Sequence, residues 1–158
     1  MLKAGLVGAG HLGKIHLKLL AQSEKYELVG FHDVDPDNGK KLEAEFGYRY
    51  FDDFDELLRH IDMLDIVTPT LYHYDYALKA IENRKHFFIE KPITQTLEEA
   101  EEILQKCREF GIKAQVGHVE RYNPAFIATK EYINNPMFIE IHRLAEFNPR
   151  GTDVSVVL

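Results

Sequence analysis

Cysteine is almost absent from this chain, with one residue, Cys107, in 158. A lone cysteine makes no internal disulfide, so a reducing, cytoplasmic compartment is the expected setting. Cys107 shares a helical face with Ala100, Ile103 and Leu104, the pattern of a buried apolar thiol and not of a nucleophile. Long hydrophobic runs are missing as well. No stretch approaches the roughly 20 apolar residues that span a bilayer. Met1-Leu2-Lys3 leads straight into a strand pattern, with no signal-peptide features. Positive charge is in deficit: 19 Lys and Arg against 26 Asp and Glu give a net charge of −7. Nucleic acid and anionic membranes both demand a basic face, so neither is an expected partner. His11, His16, His32, His60, His86 and His142 show no metal-ligand spacing, and no metal site is expected. Internal repeats and low-complexity segments are also lacking.

What is there is an ordinary globular composition, 45% apolar and 28% charged. Strand-like runs occur at Leu2–Val7, Glu27–His32, Leu64–Thr68, His86–Glu90 and Ile112–Gly117, with a short one at Tyr48–Phe51. Helical patterns lie between them. Leu12, Ile15, His16 and Leu19 share one face of the first. Asp35-Pro36 opens the second and Gly47 closes it. Phe54, Leu57, Leu58 and Ile61 make the third, and Tyr74, Ala77, Leu78 and Ile81 the fourth. The fifth starts at Thr96, with Glu99 at capping-box spacing, and runs to Phe110. This alternation predicts an α/β fold: a doubly wound parallel sheet of the Rossmann type, with ligands across the carboxyl ends of its strands. The pattern changes after Gly117. A helix from Asn123-Pro124 to about Ile133, a long strand Met137–Phe147, a turn at Asn148–Gly151 and an apolar end read as the truncated start of an α+β antiparallel-sheet domain. The expected division is 1–120 and 121–158.

The most specific local signal is Gly8-Ala9-Gly10-His11-Leu12-Gly13. It stands where a strand pattern hands over to a helix pattern, the context that gives G-x-G-x-x-G its meaning. Gly8 permits the tight turn, Gly10 leaves the backbone open to a pyrophosphate, and Gly13 lets the helix pack on the sheet. The helix start supplies free N–H groups and partial positive charge. Asp33 ends the next strand, where a carboxylate accepts ribose hydroxyls; capping the following turn is its alternative role. A 2′-phosphate beside Asp33 would face like charge, at a cost of up to about 4 kcal/mol at 4 Å and an effective dielectric near 20. NAD is therefore expected over NADP.

Residues just after the other strands line the same rim. They are Thr68-Pro69-Thr70 with His73, then Glu90-Lys91-Pro92, then Gly117-His118 with Glu120 and Arg121. Lys91 is the candidate for chemistry, since a lysine beside an oxidised nicotinamide has its neutral form favoured and can take a hydroxyl proton. A surface lysine before a loop proline is the plainer alternative. His118 has two readings, proton transfer or a hydrogen-bonded residue at a domain seam. His73 has two, capping or ribose contact against solvent exposure.

Taken together, the glycine turn, Thr68-Pro69-Thr70 with His73, Glu90-Lys91-Pro92, and Gly117-His118-Val119-Glu120-Arg121-Tyr122-Asn123-Pro124 resemble the glucose–fructose oxidoreductase / inositol dehydrogenase / rhizopine catabolism family (Gfo/Idh/MocA). The resemblance implies an NAD(P)-dependent oxidoreductase acting on a hydroxyl carbon of a sugar, sugar nucleotide or cyclic polyol. It implies that Lys91 reaches the reacting hydroxyl or the nicotinamide ribose, and that a second domain often forms homo-oligomer contacts. Family members complete the proton-transfer site with an aspartate and a histidine of that second domain. Their absence here makes the expectation a truncated chain that binds NAD and turns over poorly. The alternatives are a non-catalytic NAD-binding sensor of the same fold and, from the glycine turn alone, a methyltransferase.

Overall fold

The computed structural model describes residues 1–142 of the chain. It divides into two compact units, Met1–Gly117 and a second that begins at His118. The first unit runs β1 (Leu2–Val7), α1 (His11–Gln22), β2 (Tyr26–His32), α2 (Pro36–Phe46), α3 (Phe54–His60), β3 (Met63–Ile66), α4 (His73–Glu82), β4 (His86–Ile89), α5 (Leu97–Phe110) and β5 (Ala114–Val116). The strands form one parallel sheet in the order β2-β1-β3-β4-β5. Strand order reverses beside β1, which has β2 on one side and β3 on the other. That reversal leaves a crevice at the carboxyl ends of β1 and β3.

Two apolar clusters hold the helices to the sheet. On one face Leu64, Ile66, Phe87 and Ile89 pack against α3, α4 and α5 through Leu57, Ile81 and Ile103. On the other, Ala4, Leu6 and Phe31 meet Leu17 and Leu20 of α1 and Leu42 of α2. Each of these larger side chains, fully buried, contributes about 1.5–3 kcal/mol. Cys107 belongs to the first cluster, and burial pushes its thiol pKa up. The helix ends follow the local signals. Asp35 Oδ1 accepts from the amides of Asp37 and Asn38, Gly47 closes α2 at φ 73°, and Thr96 with Glu99 forms a complete capping box on α5.

Several expectations are corrected. The face of α1 that packs on the sheet is Gly13, Leu17 and Leu20. Leu12, Ile15 and Leu19 stand 42%, 45% and 61% exposed instead. Gly13 sets this rotation. Only a residue without a side chain fits there, because a Cβ would lie 2.0 Å from the Gly8 carbonyl oxygen. Leu104 on α5 is likewise half exposed, one residue away from buried Ile103. The short strand at Tyr48–Phe51 reduces to a single parallel bridge between Phe31 and Tyr50, because the chain turns off at Asp53 to cap α3.

The second unit holds a 3-10 turn at Val119–Tyr122, α6 (Pro124–Thr129) and a 3-10 turn at Lys130–Tyr132. Asn123 caps α6, its Oδ1 accepting from the Ala125 amide at 3.0 Å. Residues 137–142 form no strand. A strand needs a neighbour for its N–H and C=O groups, and the described part of this unit has none. Residues 143–147 of the expected strand, the turn at Asn148–Gly151 and the apolar end from Asp153 lie outside the described residues. Among the described residues no helix is long and apolar enough to cross a membrane.

Candidate functional site

The glycine turn sits at the reversal of strand order. Gly8 adopts φ +93°, and a Cβ there would come within 2.7 Å of the Thr68 amide nitrogen. Glycine at this point lets the end of β1 lie against the chain leaving β3. The Gly8 N–H donates to the His32 carbonyl at 3.0 Å, which ties the turn to β2 as well. Gly10 is the N-cap of α1 and has no side-chain cap. A Cβ at Gly10 would meet nothing within 4 Å. The first intrahelical bond runs from the Lys14 N–H to the Gly10 carbonyl at 3.1 Å. The amides of His11, Leu12 and Gly13 precede it, in the part of a helix that has no intrahelical partner. A clearing over three such amides is an anion site, with the helix dipole adding to it.

Asp33 is buried beside this turn. Its Oδ2 accepts from the Ala9 N–H at 2.7 Å and its Oδ1 from the Asp35 N–H at 2.9 Å. The carboxylate thus fixes the glycine turn and begins the turn into α2, while Asp35 does the capping of that helix. Each oxygen keeps acceptor capacity for a further hydroxyl. Two residues the sequence reading passed over complete this corner. Asn38 Nδ2 donates to the Ala9 carbonyl at 3.4 Å. The Tyr50 hydroxyl lies 3.3 Å from the Asp33 carbonyl and 3.2 Å from Asp52 Oδ1. Burial, the Asp52 hydrogen bond and the charges of Asp52, Asp33 and Asp35 push the Tyr50 pKa up to about 12. Asn38 gave no spacing signal inside a polar helix, and Tyr50 read only as part of a strand.

Across the crevice, Thr68, Pro69 and Thr70 follow β3, and Glu90 and Lys91 follow β4. His73 binds these two segments together. It is 1% exposed, so the reading of a solvent-facing histidine is wrong. Its Nδ1 lies 2.9 Å from the Pro92 carbonyl oxygen and its Nε2 2.9 Å from that of Thr68. Thr68 Oγ1 is buried and has no hydrogen-bond partner. The Lys91–Pro92 peptide is cis. Lys91 is exposed, and its N–H donates to Glu90 Oε2 at 3.2 Å. The structure therefore brings Gly8–Gly13, Asp33, Thr68–Thr70, His73, Glu90 and Lys91 to one rim of the first unit. His118 opens the second unit and precedes its first 3-10 turn.

A turn built in this way, at this point of a parallel sheet, is the mark of the dinucleotide-binding α/β proteins. Residues 2–118 match the GFO_IDH_MocA model, an oxidoreductase family with an NAD-binding Rossmann fold, and the chain belongs to that family. It is 33% identical over 158 residues to a UDP-N-acetylglucosamine 3-dehydrogenase of Acidithiobacillus ferrooxidans, covering 99% of this chain and 50% of the relative. It is 37% identical over 136 residues to a scyllo-inositol 2-dehydrogenase (NAD(+)) of Bacillus subtilis, covering 84% and 40%. The chain thus spans half or less of the length of these relatives. The solved structure of UDP-N-acetylglucosamine 3-dehydrogenase GnnA from A. ferrooxidans superposes with a TM-score of 0.78 at 32% identity, over 83% of this chain and 43% of that one. GenD2 from gentamicin A biosynthesis, solved in complex with NAD, gives 0.78 at 26% identity, over 83% and 38%.

Proposed function

We propose that this chain holds NAD(H) along the rim of its first unit and supplies the proton-handling lysine for oxidation of a sugar-type hydroxyl. The carrying observation is the clearing at Gly10 over the start of α1, with Asp33 locked beside it. The residues fit the cofactor. The amides of His11, Leu12 and Gly13 would take the pyrophosphate, and Asp33 the adenosine ribose. Asp33, Asp35, Asp37 and Asp52 crowd that corner with negative charge, which favours NAD over NADP. Thr68, Pro69, Thr70, His73 and Glu90 would line the nicotinamide end, with Thr68 Oγ1 as an unused polar atom there.

Bound NAD(H) supplies hydride acceptance or donation. Lys91 Nζ takes the proton of the substrate hydroxyl as oxidation proceeds and returns it in the reverse direction. His118 is a second proton-transfer candidate. The relatives named above support a sugar, sugar nucleotide or cyclic polyol as substrate.

Fluorescence titration with NADH and NADPH tests this directly. NADH should bind more tightly, and Lys91→Ala should keep that affinity while any turnover of polyol or sugar nucleotide is lost. Equal or better binding of NADPH would overturn the cofactor assignment. Retained turnover in Lys91→Ala would overturn the role of the lysine.

A further inference from the structure

A second group of ionisable residues joins α1, β3 and the end of β4. Asp65 occupies the middle of β3, a strand buried on both faces, and is 3% exposed. Its Oδ2 lies 2.9 Å from His16 Nδ1, while its Oδ1 is buried without a partner. His16 comes from α1, and its other nitrogen, Nε2, lies 3.6 Å from Glu90 Oε1. Glu90 in turn accepts the Lys91 N–H through Oε2. Gly117, at the end of β5, makes the space for this carboxylate: a Cβ there would stand 2.5 Å from Glu90 Oε1. The Phe88 ring packs against the imidazole with 5.8 Å between centroids. The chain Asp65–His16–Glu90 therefore runs from the sheet interior to the backbone of Lys91, through three separate elements.

We propose that His16, held between the Asp65 and Glu90 carboxylates, is a positioning residue that keeps Glu90 turned inward and away from the Lys91 ammonium. The inference rests on the proton-handling role given to Lys91 above. Glu90 is the residue next to Lys91. Without a cation beneath it, its carboxylate is free to turn toward the lysine side chain, and a carboxylate there holds the lysine as an ammonium, leaving less of the neutral amine that accepts a proton. The groups facing His16 are Asp65 from β3, Glu90 from the end of β4 and, lining the same cavity, Tyr26 from β2. Burial opposes the charged imidazole, but the Asp65 hydrogen bond and the charges of Asp65 and Glu90 outweigh it, and the His16 pKa is raised. The two carboxylates thus shift His16 toward its charged form.

The test reads Lys91 itself and needs no cofactor. Lysines of the folded chain are acetylated briefly with acetic anhydride near neutral pH, and each site is quantified by mass spectrometry. In His16→Gln, labelling of Lys91 should fall by about tenfold relative to the other lysines, the effect of a carboxylate roughly 4–6 Å from an ammonium. His16→Gln combined with Glu90→Gln should restore it, which a general loosening of the fold would not do. Unchanged Lys91 labelling in His16→Gln, or a loss that the double variant fails to reverse, overturns the proposal. Should His16→Gln not fold, the wild-type protein decides. Its Lys91 labelling relative to other lysines should drop as pH rises through the His16 titration, and a constant ratio overturns the proposal. Failure of NADH to bind in the separate titration would instead remove the oxidoreductase reading and leave this result standing.

Discussion

Gly10 and Gly13 belong to one motif but answer to different forces. Gly10 faces open space, so Gly10→Ala should cost only about 0.5 kcal/mol of stability, as an unfavourable N-cap. Its methyl would stand where the pyrophosphate is proposed to sit, and NADH affinity should fall roughly tenfold or more, about 1.4 kcal/mol. Gly13 faces the Gly8 carbonyl at a distance no Cβ tolerates. Gly13→Ala should therefore lose about 3 kcal/mol of stability as α1 is pushed from the sheet, with binding lost alongside. Urea unfolding and NADH titration of both variants separate the two effects. This difference was legible in the sequence, since strand-turn-helix context assigns each glycine its task. The duty of Asp33 was legible only in part. Its bond to the Asp35 amide is the local turn role expected as an alternative, whereas its bond to Ala9 depends on how β2 ends beside the glycine turn, a placement that comes from sheet pairing. His73 was legible as a rim residue, but its burial between the Thr68 and Pro92 carbonyls arises from two loops distant in sequence.

At the level of elements, local chemistry spoke most clearly at helix ends. The capping box of Thr96 and Glu99 and the Asp35-Pro36 start of α2 are short-range bonds, and sequence spacing alone specifies them. Thr96→Ala should lower stability by about 1 kcal/mol and leave NADH affinity unchanged, as paired thermal melts and titrations would reveal. The orientation of α1 was misjudged for a physical reason. Leucines and isoleucines mark an apolar stripe, but the closest approach to the sheet belongs to a glycine, which periodicity weighs lightly. The strand expected over Met137–Phe147 is not formed in its described part, 137–142: alternating apolar residues suit a strand, yet pairing requires a neighbour that the described part of that unit does not provide. Parallel strands β1, β3 and β4 were recovered because buried strands read as continuous apolar runs.

Across the whole molecule, the buried carboxylate and imidazole couple folding to pH. The His16 pKa is raised above the ordinary 6.5, so its contribution is complete below that pH and fades as pH climbs through the folded value. Burial raises the Asp65 pKa, against the lowering effect of His16, so this site too binds its proton more tightly in the folded state. Both signs agree: the native state holds more protons than the unfolded chain, and stability declines with rising pH. Urea midpoints should fall as pH rises from 6.5 into the alkaline range, and His16→Gln should flatten that slope. A different consequence follows from Cys107, tucked behind the sheet at 7% exposure and alone of its kind in the chain. A chromogenic disulfide reagent reaches it only when the α5 side of the unit breathes open. The protein thus carries a built-in clock for its own opening, and cofactor bound at the distant rim should slow it.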